Sequence, residues 1–326
     1  MALTGDKLSN AMAIATQYIF DNIPVTFSMT NPLYNEMMKR KTKADGTRLQ
    51  IPLNFKKMSN VASITGTSAD TIDVGVQQNL TYGELDWKFV VEGFSVDLKE
   101  LAQASGENAV VDIITAKAQN TLETMADLVS TQLYGSATSD AKALNGFGDI
   151  FAPSGTAYAG IVDTDIGNDS VGDPMWLPLL DTTTTEISYA SISPKITKLK
   201  AKNKKAADLM LSNSAVFSAF KASQQAQQRF IQTDKLEAGF TGLMVDGAFW
   251  YADEYAKANN LYIITTSTMG IKYKYGLGAG SPLDVKTLKL PTAPVNSHQK
   301  YHVFNIYCNN RRLNANMSKL GTAQST

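Results

Sequence analysis

Two histidines, one cysteine and a short glycine run are the residues whose types and spacing suggest chemistry. His298 and His302 stand four apart, the spacing of two zinc ligands on one helical face. Between them lie Gln299, Lys300 and Tyr301, so the glutamate that acts as base in a zinc-protease helix is missing. Both fall in an apolar, strand-like stretch and read as strand histidines without a metal. Cys308 has no CxxC partner, and a thiol among apolar neighbours is inert. Gly276, Gly278 and Gly280 imitate part of a dinucleotide loop, but Ser281-Pro282 prolongs the turn and no capped helix follows. No GxxxxGK[ST] phosphate loop and no GxSxG elbow occurs. Lys195, Lys198, Lys200, Lys202, Lys204 and Lys205 crowd one stretch that could face nucleic acid. Their angular spread and the acidic balance elsewhere describe a solvated face instead. Trp87, Trp176 and Trp250 are too scattered to form a base-stacking set. The expectation is a protein with no catalytic residue, no cofactor and no metal.

The totals narrow the class further. The chain has 326 residues with 30 acidic and 30 basic side chains, a formal charge of zero. That balance argues against a protein whose main task is gripping nucleic acid, and it suits one that must approach copies of itself. A single cysteine forms no internal disulfide and points to a reducing compartment. The start, MALTGDKLSN, lacks the basic and apolar regions of a signal peptide, and no apolar run is long enough to span a membrane. A soluble protein made in the cytoplasm is expected.

The organising element is Glu107–Tyr134. Val111, Ile114, Ala118, Leu122, Met125, Val129 and Leu133 recur at helical spacing, advancing 11 residues per three turns, so the stripe runs nearly straight. Ser105 can cap its start and Gly135 suits its end. The helix should be about 40 Å long, a beam for other elements to lie along.

Ahead of it, Lys7–Phe20 reads as a short helix within an arm (1–46) that cannot form a core alone. Leu49, Ile51, Leu53 and Phe55 then alternate with polar residues, and Leu85, Trp87, Phe89 and Val91 alternate on the return. Between them Ser59–Tyr82 is polar, with a strand-like patch at Ile72, Val74 and Val76. This is a long hairpin (47–92), and an isolated two-stranded ribbon is marginal in water, so its outer half needs a partner surface. That partner is either the rest of the chain or a neighbouring subunit. Leu98–Ala104 reads as a short helix. Residues 152–190 read as a long surface loop. Ser193-Pro194 reads as a cap and first-turn proline. Beyond it, strands at Asp208–Ser212, Leu243–Val245, Phe249–Ala252, Leu261–Thr265 and Ile271–Tyr275 alternate with a helix capped by Asn213 or Ser214. Tyr301–Cys308 is apolar on both faces, as a strand covered on both sides would be.

In order and local phrasing the chain resembles the major capsid proteins of tailed bacteriophages, the Hong Kong 97-type fold. The phrases are the lead-in EGFSVDLKELAQ, the helix ending LYGS, the NGFGDI turn, SPKITKLKAK, DLMLSNSAVFSAF, GFTGLMVDGAFWYADEYAKANNLYIITT and the final YHVFNIYCNNRRLN. The resemblance implies an α+β fold with an N-terminal arm (1–46) and an extended β-hairpin loop (47–92). A peripheral domain with a spine helix (93–145 and 291–326) and an axial α/β domain (146–290) complete it. It implies self-assembly into hexamers and pentamers of an icosahedral shell enclosing double-stranded DNA, within a virion capsid assembled in the host cytoplasm. Copies of the chain are then its partners, with scaffold, portal and decoration proteins, and with packaged DNA by proximity alone. Ile51, Phe55, Lys56, Lys57, Ile72, Val74 and Trp87 are the expected inter-subunit contacts. Nothing before residue 20 is long enough to be the scaffolding segment some members carry, so a separate scaffold or earlier processing is expected. Some members also cross-link lysine to asparagine, for which Lys56 or Lys57 with Asn309, Asn310 or Asn314 are the candidates. An encapsulin-like compartment, which shares the fold and packages an enzyme instead of DNA, is the alternative reading. An α/β enzyme built on residues 193–290 is the alternative of another class.

Overall fold

The computed structural model describes residues 31–54, 75, 80–97, 107–168, 172–183, 185–203, 207–224, 242–275, 283–289 and 295–321. The expected helices at Lys7–Phe20 and Leu98–Ala104, the hairpin tip and the glycine run at 276–280 lie outside these residues. Two sheets and one long helix make up the frame. The first sheet is built on strand β13 (Val295–Cys308), which has neighbours on both edges over most of its length. One edge pairs antiparallel with β4 (Lys88–Asp97), from Val295 opposite Asp97 to Phe304 opposite Lys88. The other edge pairs first with β12 (Leu283–Lys289) and then with β11 (Met269–Tyr275), and β1 (Thr42–Lys43) lies parallel to β11. Residues 302–306 and Cys308 are buried, so the strand is covered on both faces in that half.

The long helix (Glu107–Leu133) packs against β4, and its Ala118, Leu122, Met125, Val129 and Leu133 are buried in the core. The side chains of Val111 and Ile114 are outside the described ones. Thr121, Thr124 and Thr131 donate their hydroxyls back to the carbonyls of Lys117, Asn120 and Asp127, which satisfies them inside the helix. At its end Tyr134 enters an aromatic group with Phe147 and Tyr262, at centroid distances of 5.1 and 5.6 Å. The NGFGDI turn is folded onto the last helical carbonyls. A Cβ on Gly146 would stand 2.4 Å from the carbonyl oxygens of Gln132 and Leu133. Asp149, buried, accepts from the Ser136 hydroxyl, the Ala137 N–H (2.8 Å), the Thr138 hydroxyl (3.0 Å) and the Asn145 amide (3.0 Å).

The second sheet has the order β5 (Leu179–Asp181), β14 (Ala315–Met317), β10 (Leu261–Ile264), β7 (Leu209–Ser212), β9 (Ala248–Ala252), β8 (Gly242–Val245), with β7–β9 and β5–β14 parallel and the rest antiparallel. Ile192, Ile196 and Leu199 of one helix (Tyr189–Asn203) and Val216, Phe217 and Phe220 of another (Ser214–Gln224) share its core with Trp250. The Asn213 side chain accepts from the Val216 N–H at the start of the latter.

Several expectations need correcting. The pairing crosses the expected domain boundary at 291: β11 and β12 belong to the sheet of β13, while β14 joins the second sheet. Pairing over such separations leaves no local trace. The segment 31–46 is no bare arm, because Leu33, Tyr34 and Met37 of a short helix (Pro32–Met38, capped by Asn31) are buried in the core of their own chain. Residues 152–190 are not simply a surface loop, since Ala152, Tyr158, Ala159, Ile161 and Trp176 are buried. Pro194 lies inside its helix, which starts at Tyr189 after reciprocal Ser188–Ser191 bonds and not at Ser193. The alternation through Leu85, Trp87, Phe89 and Val91 also reverses phase, because the chain leaves β3 (Leu80–Leu85) for a different sheet at Asp86–Trp87. Leu85 is buried, Phe89 and Val91 are exposed, and Val90 and Phe94 point inward instead.

Gly146→Ala should destabilise the protein by about 2–3 kcal/mol, because the backbone it would strike has no free rotamer to move. Urea unfolding of the two proteins measures this.

Candidate inter-subunit surface

The groups that suggested chemistry are occupied structurally. His298 and His302 lie on one strand, where four residues span roughly 13 Å and not one helical turn, so they cannot share an ion. Among the described residues no group of His, Cys, Asp or Glu is placed to hold a metal. His302 is buried beside Glu92, Nε2 to Oε1 3.3 Å, beneath the long helix. Burial pushes the Cys308 thiol up to about 11 and keeps it protonated. Of the lysines on the 189–203 helix, Lys195 pairs with Asp181 (2.6 Å) and Lys202 with Asp173 (3.1 Å), while Lys198 and Lys200 are exposed. Lys204 and Lys205 lie outside the described residues.

Two buried groups went unrecognised in the sequence. Arg311, the first of two adjacent arginines in the final NNRRLN phrase, is fully buried. It donates to the carbonyls of Ile150 (2.7 Å) and Ala152 (2.8 Å), with its guanidinium over the Tyr158 ring. Burial holds it below the ordinary arginine range. Asp253 ties the second sheet to the end of the long helix by accepting the Tyr134 hydroxyl at 2.6 Å, and it also accepts the Tyr255 N–H at 3.0 Å. Burial raises its carboxyl, and those two donors only partly offset this.

The hairpin root is the feature left half covered. β2 (Leu49–Asn54) pairs with β3 from Leu49 opposite Leu85 to Asn54 opposite Leu80. On its inner face Leu49, Ile51, Leu53 and Leu85 are buried in the core of their own chain. On its outer face Leu80 is 56 % and Tyr82 60 % exposed, and on the adjoining strand Phe89 is 64 % and Val91 49 % exposed. Four large apolar side chains exposed within twelve residues form an unusual concentration for a finished surface. Among the described residues β4 pairs with β13 alone. Of the expected contact residues, Ile51 is covered by its own chain at 1 % exposure and has no side-chain surface to offer. Trp87 is half-buried and donates to the Gly46 carbonyl at 3.0 Å. Phe55, Lys56, Lys57, Ile72 and Val74 lie outside the described residues. Of the exposed neighbours, Phe89 and Val91 were read on one strand face with Leu85, and Leu80 and Tyr82 were read as part of the polar stretch 59–82, although Leu80–Leu85 is strand β3. For a lysine cross-link, Asn314 is excluded by burial and by its amide bonds to Thr268 and Asn310, whereas Asn309 is exposed.

No protein-family model matches the chain, and no curated protein matches it in sequence. Solved structures do match in fold. The capsid asymmetric unit of cyanophage A-1(L) is similar at a TM-score of 0.64 and 11 % identity, covering 89 % of this chain and 92 % of that one. This is the Hong Kong 97-type fold. The capsid of a native GTA particle (TM-score 0.57, 13 % identity, 88 % and 90 % coverage) is similar as well. So is the holo-SrpI encapsulin complex of Synechococcus elongatus PCC 7942 (0.55, 11 %, 90 % and 89 %). At these identities the likeness is one of fold, and it extends over nearly the whole Hong Kong 97-type chain.

One expectation follows for the buried groups. Asp253 has a raised carboxyl pKa in the folded state, so its contribution to stability is fully present below the unfolded carboxylate pKa and is lost as pH rises through the folded one. Asp253→Asn should therefore gain stability relative to the parent as pH is raised from the acid range to neutrality, as paired thermal melts at each pH would reveal.

Proposed function

We propose that the protein is the subunit of a self-assembling shell, a major capsid protein that builds hexamers and pentamers of an icosahedral head around double-stranded DNA. What carries the reading is the Hong Kong 97-type fold shared over 89 % of the chain with a cyanophage capsid subunit. The exposed apolar strip beside the hairpin supports it, since a heterologous contact from such a patch to a different surface on the next copy closes into rings. In this reading the 107–133 helix is the spine and residues 47–92 the extended loop. The first sheet is the peripheral body and the second sheet the axial one. Its partners are copies of itself, with scaffold, portal and decoration proteins where they exist, and the DNA is held by enclosure without sequence readout. The zero net charge permits close packing of many copies. No catalytic step is assigned, and no helix among the described residues is long and apolar enough to cross a membrane.

A compartment of the encapsulin kind is the second reading, favoured by a TM-score of 0.55 to an encapsulin complex, close to that of the GTA capsid. The contents of purified particles separate the two: nucleic acid for a head, a protein passenger for a compartment.

Electron microscopy of the purified protein should show capsomers or closed shells, and a dispersed monomer at high concentration would refute the proposal. Replacing residues 59–79 by a short Gly-Ser turn should leave a folded subunit that associates poorly. Tyr82→Ser with Phe89→Ser should change subunit stability by no more than ~0.5 kcal/mol, as expected of exposed positions, while lowering assembly yield in light scattering.

A further inference from the structure

The hairpin root meets its own body at a small number of defined points. Gly83 of β3 faces the tight turn Tyr158–Ile161, whose central residues Ala159 and Gly160 have φ of 55° and 75°. A Cβ on Gly83 would stand 2.9 Å from the Ala159 Cβ, a rigid atom that cannot swing aside. Beside it the Glu84 N–H donates to the Ala159 carbonyl at 2.9 Å, so the turn closes the outer edge of β3. On the other strand, Lys272 and Lys274 of β11 donate to the carbonyls of Gln50 (2.7 Å) and Gly46 (3.2 Å), and Trp87 donates to Gly46. The Lys272 ammonium is partly desolvated there and lies over the Tyr307 ring at 5.0 Å. The ribbon is thus pressed against a turn on one side and tethered by cations on the other, and these points set its direction relative to the two sheets.

We infer that this seat, with Gly83 on Ala159 and the lysine tethers opposite, fixes the angle at which the hairpin meets a neighbouring copy, and so sets shell curvature. The inference rests on the shell reading above. β2 and β3 are a two-stranded ribbon joined to the body at these points, so a displacement at the Gly83 contact tilts both strands together. Gly83 and Ala159 act here as positioning residues, since neither side of their contact needs to touch the neighbour. The requirement is one of size, so it is reciprocal. Bulk added at residue 83 should be compensated by bulk removed at residue 159, where φ is already in the region glycine prefers.

The experiment uses the full chain carrying Gly83→Ala, Ala159→Gly, or both, each read by amide exchange in the unassembled subunit and by particle diameter in electron micrographs. Gly83→Ala should speed exchange of the Glu84 amide by about tenfold, as expected for loss of one local protecting contact. It should also shift or broaden the diameter distribution. The double variant should restore both. Lys272→Met with Lys274→Met, which loosens the seat without adding bulk, should broaden the diameters too, and it serves if Gly83→Ala fails to fold. Parent-like diameters from Gly83→Ala with accelerated Glu84 exchange would overturn the inference while leaving the shell reading intact. Unchanged exchange would overturn the seat itself. If the unmodified chain forms no particles, the shell reading falls, and the inference about curvature falls with it.

Discussion

Burial of one apolar stripe of the 107–133 helix against the β4–β13 ladder is the contact on which the rest of the structure depends. Leu122, Met125, Val129 and Leu133 each contribute on the order of 1.5–3 kcal/mol when removed from water. The helix could not hold its length without that burial, because propensity alone leaves isolated helices marginal. The ladder depends on the helix in turn, since Val90, Phe94, Glu92 and His302 all lie on the side that the helix seals. Glu92 and His302 form a buried polar contact there, and such a contact adds less to stability than an apolar pair of the same shape would.

The second sheet is joined to this unit by short, polar connections of high specificity. Thr266 donates its N–H and hydroxyl to Asp208 at 2.7 and 2.6 Å, and Thr265 donates its N–H to Asn314 at 2.9 Å, where the chain passes from β10 to β11. Arg40 donates to the Thr266 hydroxyl at 2.8 Å, bringing in the N-terminal segment. Tyr134 and Asp253 make a further link at the end of the helix, and Arg311 fastens the C-terminal segment to the turn after it. Such directional bonds locate one sheet against the other more narrowly than apolar contact alone would, and each would leave a buried group unsatisfied if broken.

Against that rigid frame the unfinished features stand out. The described part of the hairpin is buried on one face only, and four large apolar side chains are exposed around the corner at Asp86–Trp87. The fold is one it shares with solved capsid and encapsulin structures.

Periodicity by itself determined the long helix, the buried strands at 209–212 and 261–264, the capped helix after Asn213 and the doubly covered 301–308 strand, because those signals come from neighbours a few residues apart. The NGFGDI turn entered only through the resemblance, and the structure supplies its physical reason: side chains on Gly146 and Gly148 would strike the carbonyls of Leu133 and Gly135. Only the tertiary structure decided that β11 and β12 join β13, that Ala315–Met317 crosses to the other sheet, that Arg311 is interior, and that Phe89 faces out while Leu85 faces in. Each of these is set by partners far away in the chain: a strand of alternating residues has two equivalent faces, and which one is buried depends on the surface it meets.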